Sequence, residues 1–301
     1  MIPGQPGVAV IILNTNRRKD TLECLQSVSS NRYKPLSIIV IDNSSTDGSV
    51  EAIRTSFPEV QVFILEKNKG YAGNNNVGID LAIKNAADWI LVVNEDTIMS
   101  PDCIEALVTA GEGFPEIGVV GPLVYHNDEP DVIQSAGALM DKNWRPYHIG
   151  QNEKDSHQYS EPRFVDWISG CAIMFRRKLL EQIGGFDEHF FYYNEEVELC
   201  HRARKAGWKM LFVPQAKLWH KGVQRDYKPN PSVTYYSVRN QLNFLKKHSA
   251  PIKVRLVNVY GFLQMVTSWT VKKKWQTMHL HRDAAVQAIV DHLRGKYGKR
   301  S

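Results

Sequence analysis

The sequence offers little from which to build a metal–sulfur centre, a disulfide scaffold or a membrane span. Its four cysteines, Cys24, Cys103, Cys171 and Cys200, lie far apart with no Cys-x-x-Cys pair, so a reducing compartment is the default expectation. No Gly-x-Gly-x-x-Gly follows the first apolar run, which removes the fingerprint of an NAD-dependent oxidoreductase. The longest uncharged stretch, Leu256 to Val271, is interrupted by Asn258, Gly261, Gln264, Thr267, Ser268 and Thr270. A bilayer span needs about 20 mostly apolar residues, so no transmembrane helix is expected. Val8–Leu13 has no basic region before it and is too short for a signal-peptide core. The expected location is cytoplasmic, with peripheral contact at the inner face of the membrane.

What is present is ordinary for a folded chain: 301 residues, 43% apolar and 23% charged, enough for a large domain with an appendage. Charge is unevenly spread. From Lys246 to Ser301 there are twelve Lys/Arg against two Asp/Glu, a net +10, while the preceding 245 residues carry −5. A basic tail on an acidic body points to an anionic partner such as a lipid surface or nucleic acid; only charge supports the latter, and no nucleic acid is expected.

Short apolar runs at Val8–Leu13, Leu36–Ile41, Val60–Leu65 and Trp89–Val93 alternate with helical patterns at Thr21–Ser30, Gly48–Ser56 and Gly73–Asn85. Continuously apolar strands separated by helices predict a parallel sheet covered on both faces, whose ligands bind at the strands' carboxyl ends. After Asp96 the spacing predicts a helix at Pro101–Ala110, strands at Gly118–Tyr125 and Ile133–Met140, and a loop or lid over Asp141–Pro162. A strand pair follows around Phe164–Arg176, then a helix at Val197–Ala206 and a short strand at Lys209–Val213. A mobile loop is expected over Lys221–Pro231 and helices from Ser232 onward.

Chemistry is sought just past each strand. Asn14-Thr15-Asn16-Arg17 follows the first run, and Asp42 the second, where a carboxylate suits a nucleotide's base or ribose; Thr46 and Asp47 serve equally as helix caps. Asn68 to Gly78 holds three glycines and four asparagines, poor helix formers. The run reads either as a loop entering a tightly packed helix or as small residues admitting a nucleotide. Asn94-Glu95-Asp96 places two carboxylates at a buried strand's end, where they need a partner or a hard divalent cation. The stretch Phe186–Leu199 sets five carboxylates among five aromatics. Glu195 and Glu196 open a helix, whose dipole suits anions, and apolar surroundings raise a carboxylate towards general-base use. Glu198 is spaced to pair with Arg202 one turn on.

Together these segments resemble the family-2 glycosyltransferases, most closely their rhamnosyltransferase-like branch, from about Val8 to about Leu245 and in the family's own order. Ile-Leu-Asn-Thr-Asn, Val-Ile-Asp-Asn-Ser-Ser-Thr-Asp-Gly-Ser, Asn68-Lys69-Gly70-Tyr71-Ala72-Gly73 with Asn76 and Gly78, Asn94-Glu95-Asp96 and Trp219-His220-Lys221-Gly222 carry the resemblance. It implies the GT-A fold, an α/β, Rossmann-like, mostly parallel sheet flanked by helices, over residues 1–230. The nucleotide half would be about 1–100 and the acceptor half about 101–230, with a helical extension at 231–301.

The resemblance further implies an inverting, metal-dependent transfer of a sugar (possible rhamnose included) from a UDP- or dTDP-sugar to an acceptor hydroxyl in cell-surface polysaccharide or glycolipid synthesis. Asn14, Thr15, Asn16, Arg17, Asp42, Asn68, Gly70, Tyr71, Asn76, Asn94 and Glu95 would hold the nucleotide, and Asp96 and His220 would hold Mg²⁺ or Mn²⁺. Glu196, beside Glu195, stands at the catalytic-base position, where the family's Glu-Asp-x-Asp reads Glu195-Glu196-Val197-Glu198. Trp167, Gly170 and Tyr193 would line the side of a saccharide or lipid-linked saccharide acceptor. The rival readings are a nucleotidyltransferase, which needs a Gly-rich basic loop where Asn14–Arg17 has none, and a catalytically silent GT-A domain that binds nucleotide or scaffolds a polysaccharide-synthesis complex. In the tail, Ile252, Leu256, Val259, Tyr260, Leu263, Val266 and Trp269 recur at helical spacing beside Arg255 and Lys272–Lys274. They predict a helix packed on the catalytic domain or one lying on anionic lipid.

Overall fold

A computed structural model describes residues 4–222 and 230–300. The expected loop over Lys221–Pro231 therefore lies mostly outside the described residues. The first half alternates β1 (Val8–Asn14), α1 (Arg18–Ser29), β2 (Leu36–Asp42), α2 (Ser49–Ser56), β3 (Gln61–Ile64), α3 (Gly70–Lys84) and β4 (Trp89–Asn94). Next come β5 (Thr97–Met99), α4 (Cys103–Glu112), β6 (Ile117–His126), β7 (Ile133–Ser135), β8 (Ala138–Met140), β9 (Pro146–His148), β10 (Arg163–Val165) and β11 (Ala172–Arg176). The chain then forms α5 (Arg177–Ile183), α6 (Glu195–Lys205), β12 (Lys209–His220), α7 (Pro231–Lys247), α8 (Ile252–Val271), a 3₁₀ turn (Lys273–Met278) and α9 (His279–Leu293).

The main sheet runs β3-β2-β1-β4-β11-β6-β12-β10. Its first four strands are parallel, β11 runs antiparallel to both β4 and β6, and β12 is parallel to β6. The sheet is thus mixed, because β11 enters between β4 and β6. Successive residues of β1 alternate between two apolar layers: Ala9, Ile11 and Leu13 face one, Val8, Val10 and Ile12 the other. Burial on both faces is why β1 and β4 read as unbroken apolar runs.

Several elements depart from the sequence expectation. The helix expected from Gly73 begins at Gly70, so most of the Asn–Gly run is helical. Ile133–Met140 is two strands rather than one, broken where Gly137 adopts φ +80°. The expected loop at Asp141–Pro162 contains β9, which pairs with β8 as a hairpin. The short strand at Lys209–Val213 continues to His220 across a register shift between Val213 and Lys217.

At the carboxyl end, α7 begins at Pro231 with the Asn230 side chain accepting from Ser232 N. Pro at the first helical position and Asn at the cap are the chemistry a helix start prefers. Tyr235, Tyr236 and Val238 of α7 pack with Ala284, Ala285 and Ala288 of α9, and Phe191 and Tyr193 lie against that cluster. Among the described residues, no helix is long and apolar enough to cross a membrane.

Candidate functional site

Parallel pairing sets Asn14 beside Asp42 and Leu13 beside Asn94, so the tips of β1, β2 and β4 end together. Asn14 and Asp42, expected at a nucleotide, are wholly buried inside the fold. Asn14 Nδ2 donates to Asp42 Oδ1 at 2.5 Å and Ser49 Oγ at 2.8 Å, and Asn14 Oδ1 accepts from Thr21 Oγ1 at 2.7 Å. Asp42 Oδ2 accepts from Ser45 N at 2.9 Å. These two side chains bracket the loop after β2. Thr15, Asn16 and Arg17, by contrast, are exposed on the rim.

Asn68, Gly70 and Asn76 also work within the chain. Asn68 Oδ1 accepts from Gly70 N at 2.7 Å, while Asn74 Oδ1 accepts from Lys69 N, satisfying orphan donors at the start of α3. Asn76 pairs its amide with both N and O of Phe186, at 2.9 and 2.8 Å. At Gly70, φ is +77° and a Cβ would strike the Phe191 carbonyl; at Gly78 it would strike Ile11. The run's small residues therefore admit neighbouring chain, and its packed-helix reading is the one the contacts match.

The second centre is Asp96. Antiparallel pairing of β5 with β12 aligns Thr97 with His220 and so delivers the imidazole to Asp96. Asp96 Oδ2 accepts from Arg17 Nη1 at 2.5 Å, and Oδ1 faces His220 Nε2 at 3.2 Å. His220 Nδ1 lies 3.1 Å from Gln134 Oε1, an acceptor, so Nδ1 carries the ring hydrogen. Nε2 is therefore the ring nitrogen turned to Asp96, whose buried Oδ1 lies 3.2 Å away. A Cβ on Gly222 would collide with both groups, so the glycine keeps their surroundings open. Burial alone would raise the Asp96 carboxyl, yet His220 and Arg17 outweigh it and leave it below its ordinary range. Glu95 is half-buried; burial first, and the charge of Asp96 next, push it up to about 7.

The third centre opens α6. Asn94 N donates to Cys171 O at 2.9 Å, tying the β4 tip to the 167–171 segment. A Cβ on Gly170 would lie 3.5 Å from the Glu196 carboxyl carbon. Tyr71 donates its hydroxyl to Gly170 O at 2.6 Å. Burial, then the charges of Glu195 and Glu196 and that of Glu95, raise the Tyr71 phenol. Burial likewise pushes the Cys171 thiol up to about 12, with Asp96 and Glu196 both adding to it. Carboxylates from the β4 tip and the α6 start thus act on the same two groups. Glu195 Oε2 and Glu196 Oε2 are buried without a hydrogen bond, and burial raises both carboxyls, Glu195 further through the charge of Glu196. Glu198 takes the expected helical pairing, accepting from Arg202 Nε at 3.0 and 2.9 Å, and adds Lys247 and His248.

Of the residues expected on the acceptor side, Gly170 flanks Glu196, and Tyr193 is half-buried with its ring edge-on to Tyr192. Trp167 is packed inside, donating to Leu139 O at 3.1 Å and lying against His148. Sequence reasoning missed Arg239 and Asn240, which are wholly buried in α7. Phe191, Tyr193 and Asn194 have φ of +63°, +70° and +68°, a region unfavourable for the two aromatic residues though tolerated by asparagine. Asn240 Nδ2 lies 2.8 Å from Phe190 O, 2.8 Å from Tyr192 O and 2.7 Å from Tyr193 O, gripping this strained approach to Glu195. Arg239 Nη2 adds a bond to Phe190 O. Polar residues within a helix read as a solvated face, so nothing in the local pattern marked them.

No group of three or more His, Cys, Asp or Glu side chains able to hold a metal ion occurs among the described residues. Asp96 Oδ1 and His220 Nε2 nevertheless lie 3.2 Å apart, a carboxylate oxygen and an imidazole nitrogen of the types that ligate divalent transition metals.

Residues 9–184 match the family described as Glycosyl transferase family 2. The N-acetylglucosaminyl-diphospho-decaprenol L-rhamnosyltransferase of Mycobacterium tuberculosis is 32% identical over 216 residues, 65% of this chain and 70% of that protein. The dTDP-rhamnosyl transferase RfbF of Shigella flexneri is 23% identical over 272 residues, 87% of each. The mannosyltransferase PcManGT from Pyrobaculum calidifontis, solved with GDP-Man and Mn²⁺, superposes with a TM-score of 0.60 at 15% identity, covering 98% of this chain and 89% of its own. GalNAc-T7, solved with UDP, GalNAc and Mn²⁺, gives 0.65 at 16% identity over 81% of this chain and 48% of that one. The chain belongs to glycosyl transferase family 2, is rhamnosyltransferase-like within it, and is built on the GT-A fold.

Proposed function

We propose that this chain transfers a sugar, with inversion, from a UDP- or dTDP-sugar to a hydroxyl of a lipid-linked saccharide acceptor. The reading is supported by Glu196, half-buried with a carboxylate oxygen that has no hydrogen bond among the described residues, and by its nearness, together with Asp96, to Cys171, whose thiol both carboxylates raise. A carboxyl whose affinity for protons is raised by burial is poised to accept one. Glu196 takes the acceptor hydroxyl's proton as that oxygen bonds to the anomeric carbon. The carbon–oxygen bond to the diphosphate breaks, and the diphosphate leaves with the electron pair. Arg17 sets a fixed positive charge at the cleft rim, where that negative charge develops. Asp96 and His220 would hold Mg²⁺ or Mn²⁺, which supplies electrostatic stabilisation of the leaving diphosphate. Thr15, Asn16, Arg17, Asn94 and Glu95 are strand-tip groups with accessible surface that would contact the nucleotide.

The same reading covers the tail. Ile252, Leu256, Tyr260 and Leu263 expose 67, 61, 62 and 51% of their surface along one side of α8, while Val266 and Trp269 pack inward. Lys253, Arg255 and Lys272–Lys274 flank that apolar row. An apolar face edged by cations suits peripheral contact with anionic lipid.

A thermal-shift panel of UDP-, dTDP- and GDP-sugars, with Mn²⁺ or with EDTA, tests the donor reading. One donor class should stabilise the protein only with the cation, and Asp96→Ala should abolish that shift. Equal stabilisation in EDTA overturns the metal assignment, and no shift with any donor overturns the transferase reading.

A further inference from the structure

Between α7 and α8 runs a groove of about 450 Å³, the size range of pockets for small-molecule ligands. One of its lining residues is Asn194, which immediately precedes Glu195 in the chain. Phe262, Met265 and Trp269 give it an apolar wall from α8. These residues lie on one side of the helix, and the exposed row of Ile252, Leu256, Tyr260 and Leu263 lies on roughly the other.

Among the polar residues that share the lining, two are placed in a way packing does not explain. Gln241 is only 5% exposed; its Nε2 donates to Trp144 O at 2.7 Å, but its Oε1 has no hydrogen-bond partner. A buried acceptor left unmatched is costly and suits a ligand hydroxyl. Arg145 lies across α8 where Gly261 makes room for it, with Nε 3.2 Å from Asn258 Oδ1 and Nη2 3.3 Å from Val257 O. Its bonds thus go to neutral groups, and it enters no ion pair among the described residues. An arginine so placed keeps its charge for an anion, with phosphate the best geometric match.

We propose that this groove receives an isoprenoid diphosphate, the lipid carrier of the acceptor. The chain lies along Phe262, Met265 and Trp269, the diphosphate meets Arg145, and the first sugar, at Asn194, gives a hydroxyl to Gln241 Oε1. The inference rests on the acceptor class of the proposed function and adds its binding site. A free apolar ligand would not need Arg145, and a free saccharide would not need the apolar wall. A carrier lipid uses both.

The test uses the full chain and farnesyl diphosphate as probe, with inorganic diphosphate and farnesol as comparison arms, read by quenching of tryptophan fluorescence. Farnesyl diphosphate should bind at least about tenfold more tightly than either fragment. Ser237→Trp, which fills the groove from α7, should weaken it by about tenfold or more while nucleotide-sugar binding is unchanged, which also certifies the fold. Arg145→Gln, at an exposed position, should weaken farnesyl diphosphate but leave farnesol unaffected. Inorganic diphosphate binding as tightly as farnesyl diphosphate, or binding that survives Ser237→Trp, overturns the proposal. Nucleotide-sugar binding is measured separately, so failure of the donor reading is distinguishable from failure of the groove.

Discussion

At the tips of β1 and β2, Asn14 and Asp42 are buried and each polar side-chain atom has a partner, whereas at the start of α6 Glu195 and Glu196 each leave a buried oxygen without one. Both regions carry polar side chains the sequence suggested for chemistry. The first uses them to hold a loop, so that the exposed Thr15, Asn16 and Arg17 are presented on a rigid base. The second keeps two carboxylates uncompensated and reaches them through three residues at positive φ. Its stability comes from elsewhere, from Asn240 and Arg239 of α7. Removing a bracket should therefore cost stability, and removing a carboxylate should cost rate.

The largest effect should come from Glu196→Gln. A positioned general base contributes about 10² to 10⁴ in rate, so turnover should fall by that factor while nucleotide-sugar affinity is retained. Normal turnover would place Glu196 with the brackets instead. Next in size is Asn14→Leu. Asp42 would lose one of its two donors while buried, Ser49 would lose a donor and Thr21 its acceptor. A loss of about 2–4 kcal/mol is expected from urea unfolding. A loss under about 0.5 kcal/mol would show that the bracket is not one.

Asn240→Ala tests whether α7 serves the carboxylate wall. Losing the grip on Phe190, Tyr192 and Tyr193 should let the strained turn relax and displace Glu196. A misplacement near 1 Å can cost about 10² in rate. A tenfold to hundredfold fall in kcat, with the donor KM unchanged, is the expected split. Full kcat would mean that the turn holds its shape without α7.

The contrast also explains what the sequence disclosed. The strands β1 to β4 were legible because burial on both faces writes an unbroken apolar run, and the Asp96 and His220 positions followed from the resemblance. The Asn68–Gly78 run was ambiguous because glycine serves a ligand or a neighbouring chain equally well, and only three-dimensional contacts show Phe191 and Ile11 against Gly70 and Gly78. The extension of β12 was hidden because Pro214 and Gln215 interrupt the apolar pattern at a bulge. Arg239 and Asn240 were invisible for a stronger reason. Their partners, Phe190 to Tyr193, lie about fifty residues earlier in the chain, and the side chains satisfy backbone carbonyls, which leave no side-chain signature.

The smallest effect, and the one that separates the two carboxylates, is on stability against pH. Glu195 is the more deeply buried of the pair, and burial together with the charge of Glu196 raises its carboxyl above the unfolded value. Below about pH 4, folded and unfolded chains both hold the proton and nothing is gained or lost. As pH rises, the unfolded chain releases its proton first, so the folded state is progressively destabilised until its own carboxyl ionises. Glu195→Gln removes that penalty while keeping the side chain's shape. The variant should match the parent near pH 4 and exceed it by on the order of a few degrees in Tm at pH 8. A Tm difference of the same size at both pH values would mean that Glu195 is not held as an uncompensated acid, and that the pair is set apart from Asn14 and Asp42 by packing alone.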